Sequence, residues 1–366
     1  MSYTTHSDRT GQDFMRTKIA LIMSYQTSAQ EDISYSKSCP ADFYVPLDLE
    51  LNDMNNAEQL YLGHGRTIAE GQPSRKLFHY LEMFENIDSQ SRNILIVGQA
   101  GMGKTTLCQK IVSDWSAVHI NLLTENDSAN DCKNGNSSIL RKFDFLFKIS
   151  HVDMNETIEN TIVNLLGIPE STVVEYLQKY NCLIVLDGID NLSIPGKETS
   201  RHELPKITST HKYTLVITSR PCESWKPPEG ETIRTITIQG VSAANRNLMI
   251  KSALSHLLKA QDIYSIKLHE EISSTFINEV QENIYSGLLR SPLMLKGLIY
   301  FWFEDGIHLS RSNKVVKMID CVHYHAIKHS GNTFDFRNDS ACTSGITWLT
   351  EPDWFSYVVG KQYLSS

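Results

Sequence analysis

Paired cysteines are missing from this chain. Its seven, at Cys39, Cys108, Cys132, Cys182, Cys222, Cys321 and Cys342, are scattered without motif spacing. That argues against a zinc ribbon or a disulfide framework and points to a reduced, cytoplasmic protein. A membrane-length apolar run is also lacking, because the greasiest stretch, Pro292 to Phe303, carries Lys296 and is too short to span a bilayer. Met1 to Gly11 is polar and has no signal-peptide core. No Lys/Arg-rich run interleaved with aromatics occurs, and the net charge is -8, which argues against nucleic acid as the main partner. No repeat appears at periods of 20 to 50 residues. Asn126, Asn155 and Asn191 stand in glycosylation-type triplets, but such triplets are common by chance. What remains is an ordinary globular composition, 41% hydrophobic and 21% charged, on 366 residues, enough for two or three folding units.

Residues 1 to 75 are rich in Ser, Thr, Asp and Asn and show little periodicity. They read as a leader or linker with little regular structure, in which the apolar run Phe43 to Leu51 could form a strand. Leu77 to Phe84 reads as a short helix. From Asn93 the pattern changes to short apolar runs alternating with amphipathic stretches. Strands are expected at Asn93 to Val97, Phe143 to Ile149, Cys182 to Leu186, Tyr213 to Thr218 and Thr232 to Ile238. Helices are expected over Thr105 to Trp115, with Leu107, Ile111 and Trp115 on one face, and over Ile158 to Leu166, stopped by Gly167 and Pro169. Glu125 to Ser138 reads as a surface loop. This alternation implies an α/β fold with a parallel sheet covered on both faces by helices, spanning residues 76 to 240. Ala243 to Leu258, Leu268 to Gln281 and Pro292 to Phe303 then read as helices of a small all-helical domain over 241 to 310, followed by an incomplete helical or winged-helix start over 311 to 366.

Three motifs carry chemistry. Gly98, Gln99, Ala100, Gly101, Met102, Gly103, Lys104 and Thr105, with Thr106 behind them, fit the P-loop pattern GxxxxGK[ST]. A phosphate chain needs many donors close together, and glycines let the backbone N–H groups turn inward to supply them. The helix that follows adds its positive N-terminal end. Lys104 would neutralise the outer phosphates, and the Thr105 hydroxyl would ligate Mg²⁺. A chance match occurs in roughly one such chain per hundred, but here the loop also lies between a strand and an amphipathic helix, as the motif requires. In the second motif, Leu183 to Asn191, Asp187 ends a buried strand placed beside the P-loop strand and would hold the magnesium. Asp190 is either a catalytic base that orients water or a turn residue. The third is Thr218-Ser219-Arg220-Pro221, where Arg220 is either a sensor of the γ-phosphate or a surface arginine before a turn.

This ordered set resembles the NACHT family of signal-transducing NTPases found in NOD-like innate immune receptors. Gly103 to Ile111 with Asp114-Trp115 is similar to the family's first helix, Phe143 to Phe147 to its second strand, and Gly188 with Asp190 to its variant Walker B. Thr218 to Pro221 is similar to the sensor strand and Gly240-Val241-Ser242 to the exit from the core. Ser291-Pro292-Leu293 resembles the helical-domain segment whose proline packs on adenine, so the resemblance implies Pro292 as a base contact. Coverage runs from about Asn93 to Phe303. The resemblance implies ATP or ADP with Mg²⁺, a slow ATPase at Asp190 and Arg220, homo-oligomerisation in the active state, and signalling protein partners of unknown identity in innate-immune or cell-death pathways.

The chain departs from the family's pattern at Asn191, where Glu is usual. One carboxylate fewer keeps a non-hydrolysing, nucleotide-bound scaffold as the alternative. The expected winged-helix histidine and sensor repeats are not recognisable, so the chain is expected to be a fragment or a reduced member. A small-molecule kinase lacks any recognisable acceptor or lid motif. No Asn-Lys-x-Asp loop for guanine occurs, since Asn313-Lys314 is followed by Val315 and Val316. Cys321, His323, His325 and His329 read as a polar helix face or, less readily, a metal cluster.

Overall fold

The computed structural model describes residues 13–26, 44–52, 74–87, 93–123, 137–150, 157–188, 213–221, 233–260, 263–281 and 289–305. Contacts divide the chain into two compact units. The described parts of the first lie within Met1–Glu31, Leu49–Gly98 and Lys104–Ile238; those of the second lie within Asp32–Asp48, Gln99–Gly103 and the chain from Gln239 onward.

The first unit is built on one sheet. Its strands are β1 (Asp48–Asn52), β2 (Ser74–Leu77), β3 (Asn93–Val97), β4 (Phe145–Ile149), β5 (Cys182–Leu186), β6 (Tyr213–Ser219) and β7 (Ile233–Gly240). They lie in the order β2-β1-β7-β3-β6-β5-β4. The pairs β7–β3, β3–β6, β6–β5 and β5–β4 are parallel, while β1 and β2 pair antiparallel. Every residue of β5 is buried, the mark of a strand covered on both faces. Side chains alternate across such a strand. Cys182, Ile184 and Leu186 therefore join Phe145, Phe147, Leu215 and Ile217 in one apolar cluster, into which α4 (Ile158–Leu166) and α5 (Glu170–Lys179) insert Ile162, Val173, Tyr176 and Leu177. Helix α4 starts where Thr157 accepts from the Asn160 N–H at 3.2 Å. It ends at Gly167, which takes the left-handed conformation (φ 63°) and donates to the Val163 carbonyl at 2.8 Å. Helix α2 (Lys104–Leu123) leaves the P-loop and packs on β4 and β6, and the short helix α3 (Ser137–Leu140) packs against it. Its Trp115 is fully buried and donates from Nε1 to the Phe143 carbonyl at 2.9 Å.

The β1–β2 pair adds antiparallel strands to a sheet expected to be parallel. Leu77, expected to open a helix, closes β2, and the helical turn that follows is a 3-10 helix over Tyr80–Phe84, capped reciprocally by His79 and Glu82. Among residues 1 to 75, which read as irregular, residues 13–26 form a helix, α1. Its inward residues, Phe14, Leu21, Ile22 and Tyr25, follow helical spacing. Met15, Ile19 and Met23 lie exposed on the same helix, so the stretch reads as apolar without a clear polar face. Helix α1 lies along β4, the outermost strand. The Tyr25 hydroxyl donates to the Leu146 carbonyl at 2.9 Å and accepts from the Lys148 N–H at 3.1 Å, taking the place of a neighbouring strand. Burial pushes this phenol up to about 12, so it keeps its hydrogen. Phe14 completes the cover, packing edge-on against Phe145.

In the second unit, α6 (Ala243–Ala260), α7 (Ile266–Gln281) and α8 (Pro292–Asp305) pack together through Ile250, Leu254, Phe276, Leu295, Leu298 and Ile299. Burying an aliphatic or aromatic side chain of this kind contributes about 1.5–3 kcal/mol. Ser242 caps α6 through the Asn245 N–H at 3.2 Å. Among the described residues no helix is long and apolar enough to cross a membrane.

Candidate nucleotide-binding site

The loop after β3 is shaped by its glycines. Gly101 and Gly103 have φ of +76° and +92°, which side-chain-bearing residues rarely adopt. Between them the Met102 N–H turns back to the Gln99 carbonyl at 3.3 Å, with Ala100 inside that turn. Within the second unit, Ser291 Oγ and the Leu293 N–H both donate to the Gly101 carbonyl, at 3.1 and 3.3 Å. The same hydroxyl accepts from the Met294 N–H at 3.4 Å and so caps α8, with Pro292 in the first turn as its missing N–H allows. A Cβ on Gly101 would stand 3.0 Å from that of Leu293, and one on Gly103 3.7 Å from Pro292 Cγ.

The first unit holds the charged groups. The Gly98 N–H donates to the Ser219 carbonyl at 3.1 Å, tying the loop's start to the end of β6. Lys104 Nζ donates to the Gly98 carbonyl at 2.6 Å, and Thr105 and Thr106 open α2 behind it. Asp187 leaves β5 with its N–H on the Ile149 carbonyl at 2.9 Å. Its Oδ1 accepts from Thr105 Oγ1 at 3.2 Å and from Thr218 Oγ1 at 2.9 Å.

The strand order corrects one expectation. Asp187 does not end a strand beside the P-loop strand, because β6 lies between β3 and β5. The carboxylate reaches Thr105 past the end of β6, and Thr218 stands next to it there. Neither Thr218 nor Cys108 was expected among the site residues. Cys108 is fully buried one turn into α2, and burial, then the Asp187 charge, pushes its thiol well above the usual range. Arg220 follows β6 directly, its carbonyl accepting from Ser219 Oγ at 2.9 Å. Asp190, Asn191, the cluster from Cys321 to His329, and Asn313-Lys314 lie outside the described residues.

The residues present suit a magnesium nucleotide. A carboxylate and a hydroxyl are hard oxygen donors, the kind Mg²⁺ takes in small number beside phosphate and water. The positive φ angles of Gly101 and Gly103 give the backbone the curl that a phosphate cradle needs. Among the described residues no group of three or more His, Cys, Asp or Glu side chains offers an all-protein metal cage.

A mainly parallel sheet, a glycine loop running into a helix, and a strand-end carboxylate bonded to that helix's first threonine define a P-loop NTPase core. Residues 92–256 match the family described as "NACHT domain". A relative, "NACHT, LRR and PYD domains-containing protein 10" of Homo sapiens, is 28% identical over 144 residues. That similarity takes in 35% of this chain and 19% of the relative, so the chain spans under a fifth of that protein's length.

Proposed function

We propose that this chain is a signalling switch operated by ADP and ATP, hydrolysing ATP slowly and assembling with further copies of itself when ATP is bound. The observation that supports the reading is the hydrogen bond between Thr105 and Asp187, 82 residues apart, at the head of the P-loop helix, since a hydroxyl and a carboxylate are the oxygen donors Mg²⁺ takes. The backbone N–H groups of residues 98 to 104 and the Lys104 ammonium would hold the phosphates. Thr105 and Asp187 would hold the magnesium, which supplies charge neutralisation when bound. Arg220, at the carboxyl end of β6, would answer to the terminal phosphate, and Pro292 would meet adenine. A switch works through unequal affinity of two nucleotides for two states of the protein. Participation in innate-immune or cell-death signalling, through signalling protein partners, belongs to the same proposal.

Identification of the nucleotide that co-purifies, then light scattering with ADP and with ATP, tests this reading. ADP or ATP should be present in near-equal amount to protein, and mass should rise with ATP alone. Absence of any affinity for adenine nucleotide would overturn it. Asn191 favours a second reading, a scaffold that binds nucleotide without turning it over. Phosphate release separates the two: Asp190→Asn should leave Mg-ATP binding nearly unchanged and slow release in a switch, whereas a scaffold shows no release in either form.

A further inference from the structure

We propose that Thr218 is a positioning residue which fixes the Asp187 carboxylate for the metal; the inference rests on the magnesium-nucleotide reading of the site. The direction of its hydrogen bonds follows from simple counting. The Gly188 N–H donates to Thr218 Oγ1 at 2.8 Å, so a lone pair of that oxygen is engaged. A hydroxyl has one hydrogen to give, and Asp187 Oδ1 receives it at 2.9 Å. Thr218 is fully buried, so bulk water does not compete for this hydrogen.

Thr105 also donates to Oδ1, but it is exposed and is itself a metal ligand in this reading. A group that must answer to the metal is a poor fixed reference for another ligand. Thr218 lies off the metal, on the strand between β3 and β5, and cannot move without disturbing the buried sheet. With two hydroxyls on Oδ1, the carboxylate cannot rotate freely, and Oδ2 is the oxygen turned away from both. Partners of this kind set the orientation of metal ligands, and losing them typically costs 10- to 100-fold in metal affinity.

The test compares Thr218→Val, which keeps the shape and removes the hydroxyl, with Thr218→Ser, which keeps the hydroxyl. ADP affinity is measured in EDTA and in Mn²⁺, and bound Mn²⁺ is followed by electron paramagnetic resonance. The valine variant should keep its metal-free ADP affinity within about twofold, while the gain from Mn²⁺ falls about tenfold. The serine variant should keep that gain. A wild-type gain in Thr218→Val, with the gain lost in Asp187→Ala, overturns the inference and leaves the magnesium site standing. A wild-type gain in Asp187→Ala overturns the magnesium reading itself. Equal loss of metal-free and metal-dependent affinity in Thr218→Val makes the threonine merely structural and also overturns the inference. If the valine variant does not fold, Thr218→Ala against Thr218→Ser carries the same comparison.

Discussion

The carboxylate corner and the glycine loop are built by opposite means. Around Asp187, side chains set the geometry: two hydroxyls converge on one carboxylate oxygen, and Thr218 is fully buried. From Gln99 to Gly103 the backbone sets it, through positive φ angles and the Gly101 carbonyl held by the start of α8. The corner should therefore tolerate changes that keep a hydroxyl and fail when the hydroxyl goes. The loop should fail when a Cβ is added at either of its positive-φ glycines, Gly101 or Gly103.

The largest expected effect lies in the loop. Gly101→Ala forces a left-handed alanine, costing about 1–2 kcal/mol, and crowds Leu293, costing roughly 1–3 kcal/mol more. Gly167 has a similar φ of +63° but nothing within 4 Å of an added Cβ, so Gly167→Ala should show only the first cost. Urea unfolding of both variants measures the difference, and equal losses would show that Leu293 gives way freely. Next comes Lys104→Ala, which should weaken Mg-ATP binding by roughly 2–3 kcal/mol through loss of a charged donor. Unchanged affinity by calorimetry would remove the phosphates from this loop. Pro292→Gly should weaken ADP binding by roughly 1 kcal/mol and speed its release in stopped flow, through lost contact and a looser helix start. Equal affinity of the wild type for GTP in competition would refute the preference for adenine.

The smallest effect lies under α2 and is a control on both regions. His119 is buried beside Trp115, its Nε2 3.0 Å from the Phe143 carbonyl, and burial chiefly lowers its pKa from 6.5 to about 4. A histidine depressed in the folded state contributes stability that is full above its unfolded value of 6.5 and is lost as pH falls towards 4. Urea midpoints should therefore drop between pH 7 and pH 5, less so in His119→Gln, with no change in the gain from Mn²⁺ at neutral pH. A wild-type pH slope in His119→Gln would assign that drop to other groups.

Much of the core was legible because its patterns are local. The run Asn93 to Val97, the glycines after it, and the five apolar residues before Asp187 each state their structure within a few positions. The place of Thr218 was not legible, since its partner lies 31 residues away and the contact depends on which strand inserts between β3 and β5. Nothing in a linear pattern fixes strand order. Helix α1 was missed for a different reason: exposed Met15, Ile19 and Met23 blur the polar face that would have marked its period. Leu77 to Phe84 has apolar spacing that suits either kind of helix, and a strand end at Leu77 used part of it.

The hydroxyl of Tyr25 on β4 bears on where this protein can be cut. The family similarity begins at residue 92, beyond both α1 and the β1–β2 pair. A chain shortened to that boundary would keep the P-loop, Asp187 and Thr218, yet lose the group that occupies the Leu146 carbonyl and the Lys148 N–H. It would also lose the two strands that extend the sheet at its opposite side. Both flanks would then offer unpaired backbone to other molecules, the usual route to strand-by-strand aggregation. Poor solubility of such a fragment would therefore report its bare sheet edges, and would say nothing about whether the nucleotide site had formed.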